Sequence, residues 1–119
     1  KNLDLMVVNR TEAEFYKDFL KSDESSHLIK ISTLGAEGIS VQFSNEEPQH
    51  YNAFTINVRS AHGAGDMFVG ALAARYLKSN NFLDSLNFAQ AAAAIKVSRN
   101  VTNGSIIKEY DVFKFLKKV

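Results

Sequence analysis

The tetrad Gly63-Ala64-Gly65-Asp66 separates an extended run, Phe54 to Val58, from a strongly helical one, Met67 to Leu77. A strand that turns through glycines into a helix is the junction at which open α/β sheets place their ligands, so this stretch restricts the fold class most. The first turn of a helix presents N–H groups without intrahelical partners and the positive end of the macrodipole, and glycine lets a polyanion approach the backbone. Asp66 in that turn can accept the proton of a hydroxyl held beside a phosphoryl group while the N–H groups stabilise the charge in transfer. A tight strand-to-helix turn, with Asp66 answering the dipole, explains the same four residues.

The remainder of the chain alternates strand and helix signals without repeats or low-complexity linkers, which is the pattern of an α/β fold. Leu3 to Val8 is a short apolar run of the buried-strand type, and Asn9 or Thr11 can cap a helix through about Leu20. His27 to Leu34 reads as a strand in which Ile29, Ile31 and Thr33 alternate with Lys30 and Ser32. Gly35-Ala36-Glu37-Gly38 then makes a turn, and Ile39, Val41 and Phe43 alternate with polar residues on the returning strand. A further strand is expected over Tyr51 to Val58. Two long helices follow, about Ala64 to Lys78 and Leu83 to Arg99, the second capped from Asn80 or Asn81. Asn103-Gly104 breaks the chain before a terminal helix from about Asp111.

Composition excludes several classes. With 119 residues and 45% hydrophobic side chains, the chain fits one domain with a core and is neither disordered nor fibrous. A net charge of +1 argues against a nucleic-acid partner, and Lys114, Lys117 and Lys118 read as the solvated face of the terminal helix. The absence of Cys removes disulfides and thiolate metal sites and agrees with a reducing cytoplasm, the expected location. No apolar run approaches the roughly 18 residues needed to span a bilayer, so no membrane association is expected. The chain opens Lys1-Asn2-Leu3 without Met, and a piece of a longer protein is expected.

Three stretches together resemble the C-terminal, nucleotide-binding part of a ribokinase-like (PfkB) carbohydrate kinase. Gly63 to Asp66, continued by Met67-Phe68-Val69-Gly70-Ala71-Leu72, is similar to the family's G-A-G-D and D-x-F-x-G-A-L signature. Thr33-Leu34-Gly35-Ala36-Glu37-Gly38 matches its T-L-G-x-x-G nucleotide loop, and Asn9-Arg10-Thr11-Glu12 its N-x-x-E motif. A fourth, weaker match is the Ala-rich stretch Phe88 to Ala94, where Gln90 stands in place of the family's frequent Asn.

The resemblance implies the C-terminal portion of an α/β/α sandwich with a mostly parallel sheet and a β-hairpin. Residues 1–119 would form one nucleotide-binding portion of a larger kinase domain, whose N-terminal sugar-binding portion and lid lie outside this chain. It implies phosphoryl transfer from ATP to a hydroxyl of a sugar or sugar-like molecule, with Gly63, Ala64, Gly65 and Asp66 as anion hole and base. Thr33, Gly35, Gly38, Gln90 and Asn9 would contribute to the nucleotide site, and Glu12 would hold Mg2+ through water. Asn9 and Glu12 also have capping-box spacing, which accounts for them without a metal. Likewise, Gly35 to Gly38 can be a hairpin turn and nothing more.

The family's D-T-T or D-T-N triplet before the tetrad is here Ser60-Ala61-His62, which leaves the need for a monovalent cation open. His62 itself reads as a loop residue rather than a catalyst. Arg99-Asn100-Val101-Thr102 stands where the family usually has a Gly-Ala pair, with Asn103-Gly104-Ser105 able to supply a shifted turn. Ala64, where kinases of vitamin precursors carry Thr, favours a sugar acceptor over pyridoxal or hydroxymethylpyrimidine, and a nucleoside remains an alternative acceptor. A homodimer through the lid is also left open. The competing class is a nucleotide-binding module without catalysis. A P-loop NTPase is disfavoured because no Lys-Ser/Thr pair follows the glycines, and dinucleotide binding because the third glycine is missing.

Overall fold

The computed structural model describes residues 4–57, 63–99 and 107–118. The expectations placed on Val58, on Ser60-Ala61-His62 and on 100–105 lie outside these residues. The chain forms two compact units, Lys1–Ala53 and Phe54–Val119.

In the first unit, β1 (Leu5–Asn9) leads through two short helices, α1 (Arg10–Phe15) and α2 (Lys17–Lys21), and a 3-10 turn at Asp23–Ser25 into β2 (Ile29–Thr33). A second 3-10 turn, Gly35–Glu37, joins β2 to β3 (Ile39–Phe43), and β4 (Gln49–Tyr51) completes the sheet in the order β1-β2-β3-β4. β1 and β2 are parallel, with Val7 opposite Ile31, as a helical crossover requires. β2 and β3 form the antiparallel hairpin, with Ile31 opposite Val41, and β4 extends it antiparallel. Val8, Ile31, Ile39 and Val41 are its buried apolar residues.

Alternation along β2 marks Lys30 as polar, yet it is only 5% exposed. A strand reached by a helical crossover is covered on both faces, and the ammonium is satisfied there by Leu20 O at 3.0 Å and Asn45 Oδ1 at 2.6 Å. The single helix expected from Asn9 to Leu20 bends at Tyr16, whose φ of −100° and ψ of 17° depart from helical values. Its hydrogen bonds nonetheless continue, from Tyr16 N–H to Glu12 O and from Leu20 N–H to Tyr16 O. The strand expected over Tyr51 to Val58 is corrected. β4 ends at Tyr51 because its register partner is Ile39, the first residue of β3, and the described residues 52–57 carry no strand.

The second unit is helical. α3 (Ala64–Ser79) and α4 (Phe82–Ser98) form a tight hairpin, and α5 (Glu109–Lys118) packs on it. Asn80 ends α3 in the left-handed region at φ 52°, its N–H bonded to Tyr76 O at 2.8 Å, a conformation Asn tolerates better than most residues. Asn81 then caps α4, its Oδ1 accepting the Asp84 N–H at 2.9 Å. α4 is buried along Leu86, Phe88, Ala89, Ala91, Ala92 and Ile95. From α3, Met67 and Ala71 pack against the cluster of Phe88, Ala91, Ala92 and Ile95, and Phe68 and Leu72 are buried. α5 begins earlier than Asp111, because the Asp111 carboxylate reaches back to the Lys108 N–H at 2.8 Å and so occupies the first turn. No described helix is long and apolar enough to cross a membrane.

Arg75 joins the three helices. Its Nε donates to Asp84 Oδ2 at 2.8 Å, and its guanidinium lies 5.5 Å and 5.1 Å from the ring centroids of Phe88 and Phe113. Its side chain is 21% exposed, so both kinds of contact are partly desolvated. Arg75→Ala is therefore expected to destabilise the protein by about 1–3 kcal/mol, the sum of two cation–π contacts and two ion pairs, to Asp84 and, at 3.9 Å, to Glu109. Urea denaturation measures it, and an unchanged midpoint would contradict this role.

Candidate active site

In the helical unit, Gly63 is the N-cap of α3, at φ 79° and ψ 2°. That left-handed conformation suits glycine. Met67 N–H makes the first helical bond, to Gly63 O at 3.0 Å. The N–H groups of Ala64, Gly65 and Asp66 therefore precede the ladder, and Gly63 has no side chain to cap them. A Cβ placed on Gly65 would meet no atom of the described residues within 4 Å, so among them space lies beside the first turn. Asp66 is exposed in that turn. Among the described residues the tetrad is thus a helix N-terminus without a side-chain cap, with space beside Gly65 and an accessible carboxylate. N–H groups at a helix start, with the positive end of the dipole, are the general arrangement that receives an anion.

Gln90 lies in the middle of α4 rather than at its end, half-buried between Ala89 and Ala91, both 0% exposed. Closer to the tetrad is Lys96, in the last turn of α4, whose Cε lies 3.1 Å from the position a Cβ would take on Gly63. Sequence reasoning passed over Lys96, since a lysine in a last helical turn ordinarily reads as a complement to the dipole.

In the sheet unit, the parallel register sets Asn9 opposite Thr33 at the C-terminal ends of β1 and β2. That edge is where α/β sheets receive ligands. Asn9 and Glu12 form a complete capping box: Asn9 Oδ1 accepts the Glu12 N–H at 2.8 Å, and Glu12 Oε1 accepts the Asn9 N–H at 2.9 Å. One Glu12 oxygen is therefore committed to the backbone. Thr33 Oγ1 donates to Val8 O at 3.3 Å, tying the two strand ends together.

The two glycines of the turn differ. Gly38, at φ 97°, has its absent Cβ only 2.0 Å from Tyr51 O and 2.8 Å from Ala53 N, so its place is fixed by backbone packing. Gly35, at φ 61°, has nothing within 4 Å of its Cβ position. Of the pair, Gly35 alone has room to meet a ligand. Arg10 was also missed from sequence: its guanidinium pairs with Glu37 and donates to Leu34 O at 3.3 Å, linking the N-x-x-E stretch to the glycine turn. Their opposite charges in two motifs destined for one sheet edge were the available signal.

Among the described residues no group of three or more His, Asp or Glu side chains gathers as a metal cage. Magnesium does not need one, because it keeps several waters and binds through one or two carboxylates and substrate phosphates. Glu12, exposed at a strand's end with one oxygen outside the capping box, fits that mode.

The fold and these motifs define a pfkB family carbohydrate kinase. The family model of that description matches residues 1–109, and the chain belongs to this family. Its relatives within the family include ribokinases. It is 30% identical over 117 residues to the ribokinase of Staphylococcus aureus (strain COL), covering 87% of this chain and 38% of that protein. The crystal structure of Thermotoga maritima ribokinase superposes with a TM-score of 0.80 at 29% identity, over 97% of this chain and 42% of that one. Arabidopsis thaliana ribokinase, complexed with ribose and ATP, shares the fold with a TM-score of 0.79 at 24% identity, over 96% and 41% of the two chains. The chain thus spans about two fifths of the length of these relatives.

Proposed function

We propose that the full-length protein transfers the γ-phosphoryl group of ATP to a hydroxyl of a sugar or sugar-like acceptor, and that residues 1–119 are its nucleotide-binding portion. The observation that carries this reading is the N-terminus of α3. N–H groups without a side-chain cap, space beside Gly65 among the described residues and an exposed Asp66 occur together there, in a chain of the pfkB family. The N–H groups of Ala64, Gly65 and Asp66 would hold the equatorial oxygens of the phosphoryl group, and Asp66 would take the acceptor's proton. A loose transition state needs little activation of the nucleophile, so positioning and charge stabilisation by the N–H groups make the larger contribution. Thr33, Gly35 and Asn9 would serve the nucleotide from the sheet edge. Gly38 shapes their turn. Glu12 would hold magnesium through water, and magnesium, when bound, would neutralise charge on the phosphates.

Gly65→Val tests the anion site. Residue 65 is helical and its Cβ would point into open space, so the fold should survive. Branched methyls there would occupy the phosphate's place, and ATP affinity is expected to fall tenfold or more by calorimetry. Unchanged affinity would mean that the tetrad is only a turn. The reaction itself is tested by screening the full-length protein for ATP turnover against sugars and nucleosides. ATP binding without turnover on any acceptor would favour the non-catalytic module.

A further inference from the structure

The side chain of Lys96 crosses from the last turn of α4 to the N-cap of α3. Its Cε lies 3.1 Å and its Nζ 3.8 Å from the Cβ position of Gly63. Among the described residues the ammonium has no hydrogen-bond or ion-pair partner. Helix electrostatics makes this placement informative. A cation in the last turn of α4 is favourable to α4, but at the N-terminus of α3 it adds to the partial positive charge of the uncapped N–H groups. Two positive ends brought together without an anion repel, and a long flexible lysine has other rotamers in which to avoid this. An anion held on the N–H groups would turn the repulsion into attraction for both.

We propose that Lys96 is a phosphate-binding residue of the α3 site, its ammonium contacting the terminal phosphate of ATP from the Gly63 side. This role rests on the phosphoryl-transfer reading given above and extends it to a residue on a second helix. Backbone N–H groups set the direction of the phosphate. Lys96 adds a full charge that the backbone cannot supply. Glycine at position 63 then serves two ends: it permits the left-handed cap, and it leaves out the Cβ that would crowd the lysine stem.

The contact should discriminate between nucleotides, because only the terminal phosphate of ATP reaches the transfer position. In the full-length protein, Lys96→Met is expected to weaken ATP binding about 10- to 100-fold, the range for loss of a hydrogen bond to a charged group. ADP affinity should change less than about twofold, and Lys96→Arg should keep most of the ATP affinity because it restores the charge. Isothermal titration with ATP and with ADP reads both, and Lys96→Gln carries the same comparison if the Met variant is too unstable to assay. Equal affinities of variant and unmodified protein for ATP would overturn the role of Lys96 alone. So would equal weakening of ATP and ADP, which would make Lys96 structural. If the unmodified protein binds no ATP, the phosphoryl-transfer reading falls and this role with it.

Discussion

Replacing Asp66 by Asn in the full-length protein should leave ATP binding within a few-fold of normal and remove most turnover. The side chain is exposed in the first turn of α3, and Asn has nearly the same shape, so neither the fold nor the phosphate site should be disturbed. The fold would lose only the carboxylate's interaction with the helix dipole, typically about 0.3–1 kcal/mol. Turnover would lose the proton acceptor, a contribution of roughly 10²–10⁴ in rate for general-base assistance. Because Asp66 is assigned to the transfer step and not to nucleotide binding, kcat should carry the loss and KM for ATP should change little. Steady-state kinetics across the acceptor panel measures both. Near-normal kcat would remove Asp66 from the chemistry and leave it as a helix-cap carboxylate.

The largest structural effect is expected at Gly38. A methyl group there would sit 2.0 Å from Tyr51 O and 2.8 Å from Ala53 N, both backbone atoms that cannot swing aside. The backbone angles, φ 97° and ψ −139°, are also ones that residues with a Cβ avoid. Backbone strain and overpacking each cost about 1–3 kcal/mol, so Gly38→Ala should destabilise by about 3 kcal/mol or more. Gly35→Ala provides the contrast. Its position is left-handed at φ 61° but open, and the cost should be about 1–2 kcal/mol, from conformation alone. Urea midpoints of the two variants decide the matter. Equal, small losses would mean that the turn does not hold Gly38 against the Tyr51–Ala53 backbone.

Local signals in the sequence carried much of this fold. Asn9 with Glu12 three residues on, Asn81 before an apolar helix, and glycines at 35 and 38 between alternating runs each specify their neighbours' backbone. They appear as a closed capping box, a capped α4 and a turn with two positive φ angles. What was not legible depends on distant partners. The end of β4 at Tyr51 follows from where β3 begins, and the burial of Lys30 follows from Leu20 and Asn45 closing over it. The bend at Tyr16 has no local marker such as Gly or Pro, and nothing in the structure explains it.

The candidate site shows the same division. The tetrad could be located from its residues because a helix N-terminus is a local structure whose donors exist wherever the helix starts. The space beside Gly65 could not, since it depends on how far the other described residues lie from that position. Nor could the approach of Lys96 to Gly63, which depends on how α3 and α4 pack together. The distinction between Gly35 and Gly38 likewise needed the position of the Tyr51–Ala53 backbone.

Phosphorus NMR of the full-length protein, with ATP and the acceptor found by the panel, tests phosphoryl transfer at the start of α3 most directly. The γ-phosphate signal should disappear as a sugar phosphate ester appears in equal amount, and Asp66→Asn should bind ATP while producing almost none. Ester formation by Asp66→Asn at nearly the normal rate, or loss of the γ-phosphate to inorganic phosphate regardless of acceptor, would contradict it.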